Sequence, residues 1–168
     1  MKDLNKLSNI PENSLVFVDS NIFLYFILGD PLHHESCKNF LGRTENGELI
    51  GVINSTVISE TYFTYMRIQI KETFDIALRE VLTLLKENPD AIKTIDMEPV
   101  DMVFNIPHIY VVNIRRETLD SFGDSITKYG LLPNDTLHVL TCYGNEIKNI
   151  ATNDLDFERV GFLRIWRP

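Results

Sequence analysis

The sequence predicts an α/β fold, a three-layer α/β/α sandwich around a central parallel sheet of four to five strands. Three observations carry this. Short apolar runs rich in Val, Ile and Phe alternate with longer stretches of helical periodicity, the pattern of a parallel sheet covered on both faces. The chain has 168 residues, 44% hydrophobic and 24% charged, enough for one domain (residues 1–168) with a substantial core. Four acidic residues, Asp19, Glu60, Asp135 and Asp154, stand where a strand or a small-residue turn hands over to a helix. In an open α/β sheet the binding crevice lies at those carboxyl ends.

Residues 15–19, Leu-Val-Phe-Val-Asp, read as a buried strand. Ser20 or Asn21 caps a helix over residues 22–28, stopped by Gly29 and Pro31. A second helix covers residues 32–41, and residues 49–53 form another strand. Ser55 or Thr56 caps a helix to about residue 70. Helical periodicity continues over 71–88, where Asn88-Pro89 ends it. A short helix at 98–104 precedes a strand at 108–114, so residues 71–104 form an extended helical region. Residues 116–129 are helical and close at Gly130. Asn134 caps a helix through Tyr143 that ends at Gly144, and strands at 148–152 and 162–166 complete the order.

A carboxylate at the end of an apolar strand is costly to desolvate unless it is paired or holds a metal. Several that converge make an oxygen-lined site suited to Mg²⁺ or Mn²⁺. Asp19 follows four apolar residues, and Ser20 and Asn21 serve equally well as caps, so capping alone leaves its burial unexplained. Asn21 holds Asp19, holds a metal-bound water or caps the helix. Glu60 complements the dipole of its helix, but it also heads the face Glu60, Thr64, Arg67, Lys71. That face sets Arg67 and Lys71 beyond the acid, as a phosphate track or as an ordinary solvated charge mix. Asp135 sits one turn before His138. Asp154 and Asp156 flank Leu155 in a turn of a kind common without metal. His138 is read as a core or boundary histidine outside the metal shell. His33 and His34 are assigned no function.

Composition narrows the rest. Two cysteines, Cys37 and Cys142, make no disulfide framework and no zinc spacing, and are read as free thiols of a cytoplasmic protein. The N-terminus lacks an apolar signal core, and residues 22–28 are too short to span a bilayer, so no membrane role is expected. The formal charge is −8, whereas proteins that grip nucleic acid by charge alone are usually basic. Either divalent cations offset the acids locally or a partner supplies basic surface.

Taken together, the motifs resemble the PIN domain family of nucleases, which includes VapC-type toxins. Val16-Phe17-Val18-Asp19-Ser20-Asn21 is similar to the family's opening strand motif, Ile58-Ser59-Glu60 to its second acidic motif and Asn134-Asp135-Thr136-Leu137-His138 to its third. Residues 151–157, Ala-Thr-Asn-Asp-Leu-Asp-Phe, resemble its Thr-x-Asp-x-Asp-Phe, and residues 160–166 its closing strand. One departure is the longer stretch between Glu60 and Asp135. The resemblance implies a PIN-like sheet and an endoribonuclease in which Asp19, Glu60, Asp135 and Asp154 hold one or two Mg²⁺ or Mn²⁺ ions. Thr152 and Asp156, with Asn21, would support them, and Arg67 and Lys71 would meet the RNA. It also implies a homodimer and, for a toxin, an antitoxin partner. The alternatives are a PIN-like module that binds RNA or protein without cutting, and a phosphatase. The second is disfavoured by Asp19-Ser20-Asn21 standing where such enzymes carry Asp-x-Asp.

Overall fold

The five strands of the computed structural model, which describes residues 5–168, are short and apolar. They are β1 (Leu15–Val18), β2 (Ile50–Ile53), β3 (Ile109–Val111), β4 (Asn149–Ala151) and β5 (Arg164–Trp166). They form one sheet in the order β3-β2-β1-β4-β5, parallel throughout. Val16, Phe17 and Val18 are fully buried, as expected of a strand covered on both faces. β3 is shorter than the sequence predicts. It forms a sheet edge where Tyr110 and Val111 lie open to solvent.

The helices are α1 (Ser20–Ile27), α2 (His34–Glu45), α3 (Ser55–Phe74), α4 (Val81–Glu87), α5 (Glu98–Phe104), α6 (Phe122–Tyr129) and α7 (Pro133–Gly144). Short 3-10 turns fill several of the connections. The chain runs from β1 out to β2 and β3, then crosses back to β4 on the other side of β1. Right-handed crossovers put α1 to α5 on one face of such a sheet and α6 and α7 on the other. Helix contacts divide the same way, with α1, α2, α3 and α5 together and α6 against α7; α3 and α7 also meet. The reversal of strand order between β1 and β4 is the switch point at which α/β sheets open a crevice.

Helix boundaries differ from the sequence expectation for identifiable reasons. Asp19, not Ser20 or Asn21, caps α1, its carboxylate accepting the Ser20 N–H at 2.7 Å. α2 starts at His34 because Asp30 accepts the N–H groups of Leu32 and His33, holding them in a turn. It then runs past Leu41, since Thr44 on the same face is buried. Asn54, not Ser55 or Thr56, caps α3 through the Val57 N–H. α7 begins at Pro133, whose missing N–H costs nothing in the first turn, and Asn134 does not cap it.

The helical pattern over 71–88 is not one helix. α3 continues to Phe74 and stops where Asp75 takes a left-handed conformation (φ 49°), one that aspartate tolerates better than most residues. Glu80 then accepts the Ala77 N–H as the chain turns into α4. The segment packs back on α3 through buried Val81, Ala91, Val100 and Val103. Tyr62 of α3 donates to Asp101 of α5, and that bond, with burial, pushes the phenol up to about 12.

The core beneath the site is built from Phe17, Phe23, Phe40, Phe157 and Trp166, all within 1% of full burial. Side chains of this kind contribute roughly 1.5–3 kcal/mol each on burial. Trp166 donates its indole N–H to Asn149 at 3.0 Å and so ties β5 to β4.

Candidate active site

β1 and β4 lie side by side, and the turns after them carry Asp19 on one strand and Thr152 and Asp154 on the other. The two turns are stitched together by one hydroxyl. Thr152 Oγ1 donates to Asp19 Oδ2 at 2.6 Å and accepts from the Asn21 amide at 3.1 Å and the Asp154 N–H at 3.0 Å. Asn21 Nδ2 also reaches Asp19 Oδ2 at 2.7 Å. Thus Asn21 holds Asp19, the first of its three sequence-based alternatives. Asp19 is 6% exposed. Burial pushes its carboxyl above the ordinary range, although neighbouring His138 and the bonds from Thr152 and Ser20 oppose the shift.

The second and third motifs meet where α3 crosses α7. Glu60 Oε1 accepts the Asn134 amide at 2.8 Å, and Glu60 Oε2 lies 3.2 Å from His138 Nε2. Burial acts to raise the Glu60 carboxyl, but His138, Asn134 and Ser20 outweigh it and hold the group below its usual value. The Asn134 contact explains why this residue is not a cap. Its side chain is turned across to the other helix.

Two groups of possible ligand atoms result: Asp19, Glu60 and His138, and Asp135, Asp154 and Asp156, each within 4.8 Å of one another. Asp135 links them. Burial pushes its carboxyl up to about 6, and Asp154, Asp19 and Glu60 all add to the rise against the opposing effect of His138. Asp135 therefore stands within electrostatic reach of the other three predicted acids. Asp154 caps the turn after it by accepting the Asp156 N–H at 2.8 Å. Asp156 itself is paired with Arg159, whose guanidinium also donates to the Gly130 carbonyl. Among the described residues, no lysine or arginine forms an ion pair with Asp19, Asp135 or Asp154.

Arg67 stacks over the Phe63 ring, 5.3 Å from its centroid, and donates to the Leu78 carbonyl. Lys71, one turn further on, is exposed. Residues not singled out in the sequence also line the site. Asn153 N–H bonds the Asn21 side chain at 3.3 Å, while its amide donates to Tyr25 Oη at 3.1 Å and approaches His33 Nε2 at 3.5 Å. The Tyr25 and His33 rings sit 4.6 Å apart. Asn153 stands inside the fourth motif, which is the one sequence signal that could have found it. The partners Tyr25 and His33 are more than a hundred residues away. Cys37 and Cys142 are both buried free thiols, and burial pushes Cys37 up to about 12 and Cys142 higher still. Among the described residues, no helix is long and apolar enough to cross a membrane.

Comparison with known proteins agrees with this geometry. The profile of the PIN domain family matches residues 16–163. The chain is 35% identical over 155 residues to ribonuclease VapC2 of Methanocaldococcus jannaschii, covering 92% of this chain and 94% of the relative. It is 30% identical over 158 residues to ribonuclease VapC6 of the same organism, covering 90% and 96%. Among solved structures it resembles VapBC2 of Rickettsia felis, crystallised with a promoter DNA fragment (TM-score 0.57, 15% identity, 91% of this chain and 98% of that one). It also resembles VapC20 of Mycobacterium tuberculosis, described as a toxin cleaving the sarcin–ricin loop (TM-score 0.56, 12% identity, 90% and 98%).

Proposed function

The chain belongs to the PIN domain family, and from that premise we propose that it is a metal-dependent endoribonuclease, the toxin of a toxin–antitoxin pair. The observation that carries this reading is the convergence of Asp19, Glu60, Asp135 and Asp154 at the β1–β4 switch point. The donor set fits a hard divalent cation: carboxylate oxygens only, one of them on a buried residue, and no lysine or arginine ion pair at any of the four acids among the described residues. Mg²⁺ and Mn²⁺ both suit such oxygens.

Asp19, Glu60, Asp135 and Asp154 are the residues that hold the metal in this reading. When bound, the metal supplies a lowered pKa for water and positive charge against the charge building on the phosphate. Thr152 and Asn21 fix Asp19, and Asn134 fixes one oxygen of Glu60, so the acids are oriented before substrate arrives. Asp156 is spent on Arg159 and acts in support of Asp154. Arg67 and Lys71 are weak contributors to RNA contact, since Arg67 is engaged with Phe63 and Leu78.

The same reading extends to partners and place. A relative crystallised as a VapBC complex supports an antitoxin, and exposed Leu32, Leu132 and Tyr143 offer apolar surface to a protein partner or a second copy in a homodimer. The compartment is the cytoplasm, where Cys37 and Cys142 stay reduced. A non-catalytic PIN-like binding module is the less favoured alternative, because all four acids are present and brought together.

The test is cleavage of a pool of labelled RNAs in Mn²⁺, in Mg²⁺ and in EDTA, with Asp19→Asn alongside. Metal-dependent cutting that disappears in the folded mutant is the expected result. Equal cutting by a correctly folded Asp19→Asn protein overturns the mechanism.

A further inference from the structure

His138 is 1% exposed and lies between the rings of Phe17 and Phe157. Its two nitrogens each face one polar group: Nε2 faces Glu60 Oε2 at 3.2 Å, and Nδ1 faces Asn54 Nδ2 at 3.3 Å. The ring alone does not reveal which nitrogen carries the proton. Asn54 does. Its Oδ1 is committed to the cap of α3, accepting the Val57 N–H at 3.1 Å. The amide nitrogen is therefore the atom turned toward α7, where one hydrogen goes to Thr141 Oγ1 at 2.8 Å. Thr141 can accept it because its own hydroxyl proton is given to the Leu137 carbonyl at 2.7 Å. The second amide hydrogen is left for His138 Nδ1, which must then present a lone pair. Rotating the amide by half a turn would set the Val57 N–H against an NH₂ group and orphan the cap.

We propose that His138 is a positioning residue for Glu60, and that Asn54, by capping α3, fixes the ring as the tautomer protonated at Nε2. The hydrogen bonds then run in one direction, from the Asn54 amide to Nδ1 and from Nε2–H to Glu60 Oε2. Asn134 supplies the donor for Oε1, so each carboxylate oxygen has one donor and the plane of the group is set. His138 thus offers the acidic site a proton rather than a lone pair, and it orients a ligand instead of being one. The residue that starts α3 and the acid that α3 carries are coupled through a side chain on another helix. This rests on the reading of Glu60 as a metal ligand. Outer-shell partners of ligands typically carry 10–100-fold in metal affinity.

The experiment combines two-bond ¹H–¹⁵N spectra of the imidazole in the metal-free protein with Mn²⁺ titration of the same samples. The expected wild-type spectrum shows a protonated Nε2 and an unprotonated Nδ1 at His138. Asn54→Ser keeps a capping oxygen but removes the donor facing Nδ1. It should leave both tautomers populated, keep the helical circular dichroism unchanged and weaken Mn²⁺ binding about 10–100-fold. His138→Gln, which can still donate to Glu60, should recover part of the affinity lost in His138→Leu. A wild-type ring protonated at Nδ1, or Mn²⁺ affinity unchanged in both folded Asn54→Ser and His138→Leu, overturns the proposal. Wild-type protein that binds Mn²⁺ as expected but cuts no RNA refutes the nuclease reading alone. Wild-type protein that binds no Mn²⁺ overturns the positioning role together with the metal reading.

Discussion

Thr152 and Asp19, 133 positions apart in sequence, share a 2.6 Å hydrogen bond that joins the turn after β4 to the turn after β1. The Thr152 hydroxyl uses its one proton and both lone pairs there. Thr152→Val keeps the shape but removes the donor to Asp19 and the acceptor that serves both the Asn21 amide and the Asp154 N–H. Leaving buried polar groups unsatisfied costs about 1–3 kcal/mol. Chemical denaturation should show a loss in that range, with Mn²⁺ affinity reduced in parallel; a shift in neither would refute the clamp.

Asp135 supplies a pH signature. Its carboxyl is pushed up to about 6 from 3.8, and a group raised on folding adds stability below its unfolded value that is lost as pH rises through its folded one. Metal-free wild-type protein should therefore lose thermal stability relative to Asp135→Asn as pH rises from about 4 to about 7. The two melting curves should converge at the acid end. Glu60 works in the opposite sense, since its carboxyl is held low and favours the fold above 4.5, but it is common to both proteins and cancels. Saturating Mn²⁺ should remove the wild-type deficit.

Asp19→Asn should separate stability from chemistry. The substitution removes a buried charge whose carboxyl is raised by desolvation and keeps an oxygen for the cap of α1. Metal-free melting temperature should fall only modestly, because relief of the buried charge offsets the amide now facing the Thr152 and Asn21 donors, while cleavage falls to background. A large drop in melting temperature would mean that the acid is a structural member of the fold rather than a site held ready for a cation.

Gly130 closes α6 in a left-handed conformation (φ 62°), and a Cβ there would lie 3.0 Å from Arg159 Nη1. A side chain in that conformation costs roughly 1–2 kcal/mol. Gly130→Ala should destabilise by about that amount. Because Arg159 bonds both the Gly130 carbonyl and Asp156, the same variant should loosen the Asp156 pair. The denaturant midpoint of the double variant Gly130→Ala/Arg159→Ala would then fall from wild type by less than the two single shifts added.

The sequence revealed the sheet and the four acids because both depend on local signals. Residues 15–18 are apolar on both faces, and each acid stands beside a turn or cap residue. What escaped it was pairing at a distance. Asn134 reads as a cap and Ser55 or Thr56 as the cap of α3, yet Asn54 caps α3 and Asn134 crosses to Glu60. His138 reads as a core histidine, and it is one, packed on Phe17. Its contact with Glu60 comes from the α3–α7 crossing, which no spacing encodes. The break at Asp75 was hidden for another reason: apolar periodicity runs through it, and a single left-handed residue leaves no mark on that pattern.

The position of β4 beside β1 has a consequence for how the protein is made. Synthesis delivers the N-terminal half first, but the acid at 19 meets its neighbours at 152 and 154 only when β4 docks. A nascent chain that stops before residue 149 carries three of the four acids, but it lacks Asp154 and the turn after β4 that meets Asp19. For a protein that cuts RNA, the strand order thus makes assembly of the site wait until β4 has been made and has docked beside β1.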